Sequence, residues 1–473
     1  MDREAAWCEG QPEAPRPEGV RQLRAGPVAV VTYLPNAQPE RAAMLEALEL
    51  PSVEGLFKHL PQSLRLDKIE LPEPLSEVEL VQYFRELGRL NARIPPSHSF
   101  LGAGASRRFS PAIVNQVISR PDFYTTYTPY QPEASQGTLQ AIYEFQTMIT
   151  LLTGLDVANA SLYDGATSLA EATAMAVAHT GRQNVVVAGA LHPEYAQVLQ
   201  TYSAAQQYEI LCVPAGADGR VDPAKLDDAV TQTTAAVILQ QPNFFGVLES
   251  PQAVSEMAHR AGALLIACVD PISLGLLAAP GDYGADLAIG DGQPLGIPLS
   301  FGGPYLGFIA CREPLLRRMP GRLAGATVDA QGRRGYVLTL QAREQHIRRE
   351  HATSNITTNH ALMALAATVY LGHMGGAGLK QLTELSAQRA HHLASQLIER
   401  KGYRLAFDAP FLWEFAVHTP YPAEQTQGFM LERGVLPGLP LGRFFPDLAD
   451  ALLISVTELN HPRAMERFLE VLP

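Results

Sequence analysis

The sequence predicts an α/β protein whose large domain is built on a mainly parallel β-sheet. Two observations lead to this fold class. Between residues 97 and 330, short apolar strands alternate with amphipathic helices, which is the order that parallel strands and their crossover helices produce. The strands are also apolar along their whole length, as expected where helices cover both faces of a sheet. The clearest predicted strands are 185–188, 236–239, 264–269, 285–289 and 306–310.

The segments flanking this domain differ from it in composition. Residues 1–30 are rich in Pro, Glu, Gly and Arg, which predicts a disordered extension, or alternatively a start codon placed too early in the gene. Residues 31–96 predict a helical arm, with one helix at 39–59 and another opened by the capping-box pattern of Ser76 and Glu79. This arm is expected either to wrap a partner subunit or to pack on its own chain.

Residues 331–473 predict a smaller α+β domain. Long helical patterns at 359–371 and 378–400 are followed by strand-like stretches at 411–417 and 451–456, and a last helix begins at Pro462.

The composition narrows the class of protein. A chain of 473 residues with 47% hydrophobic content is long enough for a large core, and its net charge of −12 disfavours nucleic acid and anionic membranes as partners. No apolar run approaches the roughly 20 residues of a membrane span. The four cysteines, Cys8, Cys212, Cys268 and Cys311, lack a CxxC spacing, and the last three lie in or beside apolar strands. We therefore expect a cytoplasmic protein with buried, reduced thiols and no metal site.

The most informative feature is a missing lysine. In the cofactor domain of pyridoxal-phosphate enzymes, a strand ending in aspartate is followed by a strand that delivers the Schiff-base lysine. Here Asp270 directly follows the strand 264–269. The next strand, 285–289, leads into the turn 290–296, where Gln293 stands at or next to the lysine position. Because an amide cannot form an imine with the cofactor aldehyde, the chain is not expected to perform the covalent chemistry alone.

The chain's lysines do not replace it. There are only five, each among polar neighbours typical of a surface: Lys58, Lys68, Lys225, Lys380 and Lys401. A self-sufficient aminotransferase or decarboxylase that uses Lys225 or Lys380 remains as a rival interpretation.

Three further elements are candidates for a cofactor site. Gly165, Ala166 and Thr167 open an Ala-rich helix, and free N–H groups at a helix N-terminus suit a phosphate. Alternatively, Thr167 or the adjacent serine only caps the helix. Asp270 has the position of a partner for a protonated pyridine nitrogen, or it merely ends its strand. His192, which follows the strand 185–188, is placed either to stack on a cofactor ring or to make an ordinary loop contact.

Four segments are expected to make contacts outside the domain core. Residues 124–133 combine three tyrosines, a glutamate and two prolines, a rigid polar-aromatic composition typical of sites and interfaces. The glycine pair within 300–305 indicates close approach to a ligand or to another chain. The basic runs 321–334 and 343–349 favour an anionic partner or substrate, although the second is also explained as a helix with a Glu344–Arg348 pair.

Taken together, these segments resemble the P-protein family of the glycine cleavage system, in particular the alpha subunit of its split bacterial form. The resemblance covers about residues 31–473. It is carried by the segments 100–104, 127–133, 159–167, 192–195, 241–244, 290–293, 301–304, 340–345 and 354–359.

The resemblance implies a division of labour between two subunits. The cofactor lysine belongs to a beta subunit, with which the alpha chain forms a heterodimer or an α2β2 heterotetramer. Pyridoxal phosphate is then bound by beta, glycine is decarboxylated, and the aminomethyl group passes to the lipoyl arm of H-protein. In the alpha chain, Gly165, Ala166, Thr167, His192, Asp270 and Gln293 outline a degenerate pocket.

The resemblance also implies an active site at the interface of the two subunits, which Tyr127 and Tyr130 approach from the alpha chain. A remaining alternative is a purely structural partner that touches no substrate.

Overall fold

The computed structural model describes residues 36–66, 68–91, 94–352 and 354–473, so the predicted extension at 1–30 lies outside the described part. The chain divides into two compact units, Met1–Arg89 and Leu90–Pro473. The described part of the first unit contains the helices α1 (Gln38–Ala47) and α2 (Glu77–Gly88), with 3-10 turns at Val53–Phe57 and Gln62–Leu64.

Helix α1 is shorter than predicted. The helix ends at Ala47, Glu49 adopts a left-handed φ of 54°, and Pro51 disfavours helical conformation at the residue before it, so the helix does not continue. The predicted capping box is confirmed: Ser76 N donates to Glu79 Oε2 over 2.8 Å, and Glu79 N donates to Ser76 Oγ over 3.4 Å. The apolar side chains of α2, including Val78 and Phe84, are exposed.

The second unit contains the remaining helices and all the strands of the described residues. Its helices are α3 (Ala112–Ile118), α4 (Pro121–Tyr124), α5 (Gln136–Thr153), α6 (Gly165–Thr180), α7 (Pro193–Gln206), α8 (Pro223–Ala229), α9 (Pro251–Arg260), α10 (Gln345–Arg348), α11 (Ala361–Ile398), α12 (Ala423–Leu431) and α13 (Pro462–Glu470). Its strands are β1 (Val157–Ala158), β2 (Asn184–Ala188), β3 (Glu209–Val213), β4 (Thr234–Gln241), β5 (Leu264–Val269), β6 (Leu287–Asp291), β7 (Gly307–Cys311), β8 (Leu323–Val328), β9 (Arg334–Thr339), β10 (Arg404–Leu405), β11 (Glu414–His418), β12 (Leu439–Pro440) and β13 (Ala451–Ser455).

The large domain is built on a seven-stranded sheet in the order β1-β7-β6-β5-β4-β2-β3. The pairs from β3 through β6 are parallel, whereas β7 runs antiparallel to β6. Helices α6 to α9 lie between successive strands along the chain. The predicted α/β class and the mainly parallel sheet are confirmed.

Alternate residues of each central strand enter different cores. In β4, Val237 and Leu239 belong to one buried cluster, and Ala236 and Ile238 belong to another. Successive side chains of a strand point to opposite faces, so both faces of this sheet are buried. This explains why the strands are apolar throughout. It also leaves the ends of the strands as the places where polar groups meet.

The C-terminal part contains a four-stranded antiparallel sheet in the order β10-β11-β13-β12. It is preceded by the hairpin of β8 and β9, which the sequence did not predict, and the boundary placed at residue 330 falls in its turn. Helix α11 is interrupted by Gly375, which has φ 59° and ψ 178°, so the two predicted helices meet at a kink. By length and composition α11 could cross a membrane, but residues such as Leu365 and Leu393 are buried in the core of this unit.

One expectation about the cysteines is wrong. Cys268 and Cys311 are buried as predicted, but Cys212 is exposed. The reason is that Cys212 lies on β3, the edge strand of the large sheet, where the neighbouring residue Leu211 is exposed as well.

Candidate functional site

The carboxyl ends of β4, β5 and β6 surround a small cavity, the position at which open α/β sheets usually bind ligands. Its volume is about 70 Å³. The cavity is lined by Gly104, Ala105, Ser106, His192, Tyr195, Gln240, Pro242, Asn243, Gly246, Cys268, Val269, Asp270, Asp291, Pro294, Leu412, Trp413 and Glu414. Two of the residues predicted for a cofactor site, His192 and Asp270, are therefore brought together here.

The N-terminus of α6 adjoins this cavity, and carboxylates of the chain itself occupy its N–H groups. Gly165 N donates to Asp291 Oδ2 over 3.1 Å, and Thr167 N donates to Asp164 Oδ1 over 2.7 Å. The capping residue is thus Asp164, and not Thr167 or Ser168 as the alternative interpretation had it. Asp291 is available because β6 extends further than predicted and ends at this residue.

His192 is packed against residues of its own chain. Its ring stacks on Tyr195 with a centroid distance of 4.7 Å and an interplanar angle of 23°. Its Nε2 lies 2.9 Å from Ala103 O, and a β-carbon on Gly104 would lie 2.6 Å from the ring. Only glycine tolerates both that approach and the φ of +95° at this position. Burial lowers the pKa of His192, so the neutral imidazole is favoured.

Three partly buried carboxyl groups line the cavity. Burial raises the pKa of Asp291 and of Glu414 to about 7 each, and it also raises the pKa of Asp270. Asp270 Oδ1 accepts the Ile272 N–H over 2.8 Å, an interaction that fits the strand-ending role proposed as its alternative. Glu414 Oε1 accepts the Ala103 N–H over 2.9 Å. Burial thus makes all three groups harder to ionise than exposed carboxyl groups.

Gln293 has a structural role at the predicted lysine position. Its Oε1 accepts the Ser106 N–H over 3.1 Å, and its Nε2 donates to Ile297 O over 2.8 Å. All five lysines of the chain are exposed, and none lines the cavity. Neither Lys225 nor Lys380 lies at the cavity, so the structure does not support the rival interpretation of a self-sufficient enzyme that uses one of them.

The loop formed by residues 124–133 lies outside the cavity. Tyr127 and Tyr130 have 72% and 60% of their side chains exposed, and neither lines the cavity. Tyr130 accepts a hydrogen bond from Arg322, which belongs to the first of the two basic runs. The second run forms only the four-residue helix α10. Glu344 approaches Arg322 and His346 there, at 3.9 and 3.6 Å, so the proposed Glu344–Arg348 pair is wrong.

Sequence patterns did not reveal several residues of the pocket. The sequence predicts Glu414 only as part of the strand-like stretch 411–417, although a lone acid within an apolar strand indicates a buried polar contact. Arg108 is buried beside the pocket, pairs with Glu458 at 2.9 Å and lies over the Trp413 ring at 4.7 Å. Nothing local marks Arg108, because its partners are some 300 residues away along the chain.

Known proteins are similar to this chain in sequence and in structure. Residues 31–472 match the family model described as glycine cleavage system P-protein. A relative from Desulfitobacterium hafniense, named probable glycine dehydrogenase (decarboxylating) subunit 1, is 48% identical over 93% of this chain and 98% of its own length. A relative of the same name from Moorella thermoacetica is 50% identical over 91% of this chain and 96% of its own length.

A solved structure is similar over the same part of the chain. It is the crystal structure of glycine decarboxylase (P-protein) of the glycine cleavage system in inhibitor-bound form, with 43% identity and a TM-score of 0.85. The similarity covers 93% of this chain and 100% of that one. The predicted family is confirmed: this chain belongs to the P-protein family of the glycine cleavage system.

Proposed function

We propose that this chain is the subunit without a cofactor lysine in a two-subunit glycine decarboxylase. The name of its relatives, subunit 1, implies a second subunit. In this proposal the partner holds pyridoxal phosphate, glycine loses CO2, and the aminomethyl group passes to the lipoyl arm of H-protein. The present chain contributes one wall of the active site and part of the docking surface for H-protein.

The observation that carries the proposal is the contact between Asp291 and Gly165. A phosphate group at the N-terminus of α6 would need the N–H groups that Asp291 and Asp164 already accept. A dianionic phosphate beside two carboxylates would also be repelled or would force them to protonate. The residues at this end of the sheet therefore do not fit the cofactor.

The volume and the residue types support the same conclusion. A cavity of about 70 Å³ is well below the roughly 300–1,000 Å³ of pockets that hold ligands of this size. Tyr195 covers the His192 ring, so that face is not free for a cofactor ring. Gln293 cannot form an imine, and its amide is engaged on both sides.

The loop at 124–133 supports a contribution to a site outside the chain. Short hydrogen bonds fix its backbone: Tyr130 N donates to Thr128 O over 2.9 Å, and Gln136 Nε2 donates to Pro132 O over 2.6 Å. A fixed backbone carrying exposed tyrosines presents aromatic side chains at low entropic cost. Glycine lacks a side chain, so a cramped pocket with aromatic walls would favour it over larger amino acids.

Loss of CO2 requires the bond from Cα to the carboxylate to be held in one orientation, which is a positioning task that fixed side chains perform. When bound by the partner, pyridoxal phosphate supplies the electron sink. The residues of this chain would position the substrate and exclude water from the site.

The test is a visible absorption spectrum of the purified chain with pyridoxal phosphate, before and after borohydride, alone and with its partner subunit. We expect no lysine-bound cofactor band for the isolated chain. With the partner present, we expect both the band and exchange of glycine carboxylate with bicarbonate. A band that borohydride fixes on the isolated chain would contradict the proposal, because a lysine of this chain would then be catalytic.

A further inference from the structure

The guanidinium group of Arg322 is buried directly behind an exposed tyrosine. Only 3% of the Arg322 side chain is exposed, whereas 60% of Tyr130 is. Arg322 Nη2 donates to Tyr130 Oη over 3.2 Å and to Thr357 O over 2.8 Å. Its Cζ lies 5.4 Å from the centroid of the Tyr130 ring. The two side chains thus form one unit with a charged inner end and a phenolic outer end.

Two further contacts fix the guanidinium. Arg322 Nη1 lies 3.4 Å from Asn359 Oδ1, and Asn359 Nδ2 in turn donates to Ala160 O over 3.0 Å. Glu344, whose side chain is 8% exposed, has its Oε2 3.9 Å from Arg322 Nε. Because these partners come from separate segments of the second unit, Arg322 is held by the tertiary structure and not by its own loop.

The chemistry of arginine determines the direction of the hydrogen bond to Tyr130. A guanidinium group has five N–H donors and no acceptor, so the phenolic oxygen must accept. The single phenolic proton is then left for an acceptor other than Arg322. The positive charge behind the ring favours an acceptor that is anionic, since a hydrogen bond to a charged group is the stronger kind.

We propose that Arg322 is a positioning residue that orients Tyr130 to donate its phenolic proton to the carboxylate of glycine. The proposal rests on the function proposed above, in which Tyr130 reaches the site held by the partner. A neutral phenol suits this task, because the carboxylate charge disappears as CO2 leaves. A guanidinium placed directly on the carboxylate would stabilise the starting state more than the transition state and slow the reaction.

The test measures glycine–bicarbonate exchange by the complete complex as a function of glycine concentration. The variants are Tyr130→Phe, Arg322→Lys and the double variant. Arg182→Lys is the matched control, since Arg182 also donates to several backbone carbonyls, among them Thr234 O at 2.9 Å and Gly262 O at 2.8 Å. Methylamine, which is glycine without its carboxylate, serves as a competing ligand.

We expect Tyr130→Phe to raise the KM for glycine about 10-fold or more, the effect of losing one hydrogen bond to a charged group. Arg322→Lys should raise the KM for glycine by a similar factor. The KM of the double variant should exceed that of Tyr130→Phe by less than about 2-fold, because the two residues act as one unit. The inhibition constant of methylamine should stay unchanged in every variant. Arg182→Lys should leave the KM for glycine and the inhibition constant of methylamine at their wild-type values.

Several results would overturn the proposal. One is an unchanged KM in Tyr130→Phe, a variant that removes one hydroxyl and leaves Arg322 Nη2 its hydrogen bond to Thr357 O. Others are additive effects in the double variant, or an equal loss of affinity for methylamine and for glycine. A wild-type complex without any exchange activity would refute the proposed function itself, and the role of Arg322 with it. An active wild type with additive variants would refute the role of Arg322 alone.

Discussion

The carboxylate of Asp291 accepts the N–H of Gly165 over 3.1 Å, at the N-terminus of the helix where the fold would otherwise receive a phosphate. Asp164 accepts the N–H of Thr167 at the same helix end. The positive end of the helix dipole is thus neutralised within the chain. This arrangement stabilises the helix and at the same time removes the anion site.

The first prediction concerns Gln293. Restoring the lysine by Gln293→Lys should not restore cofactor binding, because the cavity remains too small and Asp291 and Asp164 still accept the N–H groups of the helix terminus. The Ser106 N–H would lose its acceptor and an ammonium group would be buried, so we expect a loss of about 2–4 kcal/mol in the free energy of unfolding. Urea unfolding and a visible spectrum with pyridoxal phosphate measure both effects. Gln252→Lys, on the exposed face of α9, is the control. A cofactor band in Gln293→Lys would contradict the prediction.

The second prediction concerns the pH dependence of stability at Glu171. Burial raises the pKa of this carboxyl to about 7, so the folded chain favours the protonated acid. The stability that the protonated Glu171 gives the folded chain is therefore fully present below the unfolded pKa of about 4.3. It is lost as the pH rises through 7. Glu171→Gln should raise the free energy of unfolding at pH 8 by about 1–3 kcal/mol and leave it nearly unchanged at pH 4.5.

Chemical unfolding at both pH values measures the Glu171 effect. The exposed residue Glu466 on α13 provides the control variant Glu466→Gln, for which we expect no change beyond about 0.5 kcal/mol at either pH. An equal change at both pH values in Glu171→Gln would indicate altered packing and not titration.

The third prediction concerns Tyr127 in the reconstituted complex. Tyr127→Phe and Tyr127→Ala should lower the exchange rate, with about 10-fold or more for the alanine variant, while the subunits stay associated. Rates at saturating partner concentration, with association checked separately, test this. Tyr421→Phe changes a half-exposed tyrosine of the C-terminal part and serves as control. Unchanged rates in both Tyr127 variants would remove this residue from the site and favour a purely structural role for the chain.

The fourth prediction concerns Phe301, whose side chain is fully exposed. Ser300 and Phe301 have φ of 43° and 58°, in the left-handed region that non-glycine residues rarely adopt. A protruding, strained aromatic loop is typical of an interface anchor. Phe301→Ala should therefore weaken association with the partner subunit about 10-fold or more.

The same Phe301→Ala substitution should leave the stability of the isolated chain within about 0.5 kcal/mol, since the ring has little to pack against. Titration of the labelled partner measures the affinity. Leu211→Ala, at a half-exposed position on the edge strand β3, is the matched control. Equal affinities of wild type and Phe301→Ala would contradict the role of this loop as an anchor.

The sequence by itself determined the fold class, the family and the absence of a lysine from the pocket. Strand periodicity and composition are local properties, so the strands at 264–269 and 236–239 appear in the structure as β5 and the centre of β4. The short strands β1, β10 and β12 were missed, because two-residue strands carry no detectable periodicity.

Only the tertiary structure decided how the candidate residues are used. Asp291 and Gly165 are 126 residues apart, and Arg322 and Tyr130 are 192 apart. No local pattern predicts that a carboxylate fills one helix terminus or that a buried guanidinium supports one exposed phenol. The contacts arise where parallel strands end together and where distant loops fold onto them. The sequence therefore revealed which residue types are present, and the fold determined which of their polar groups meet.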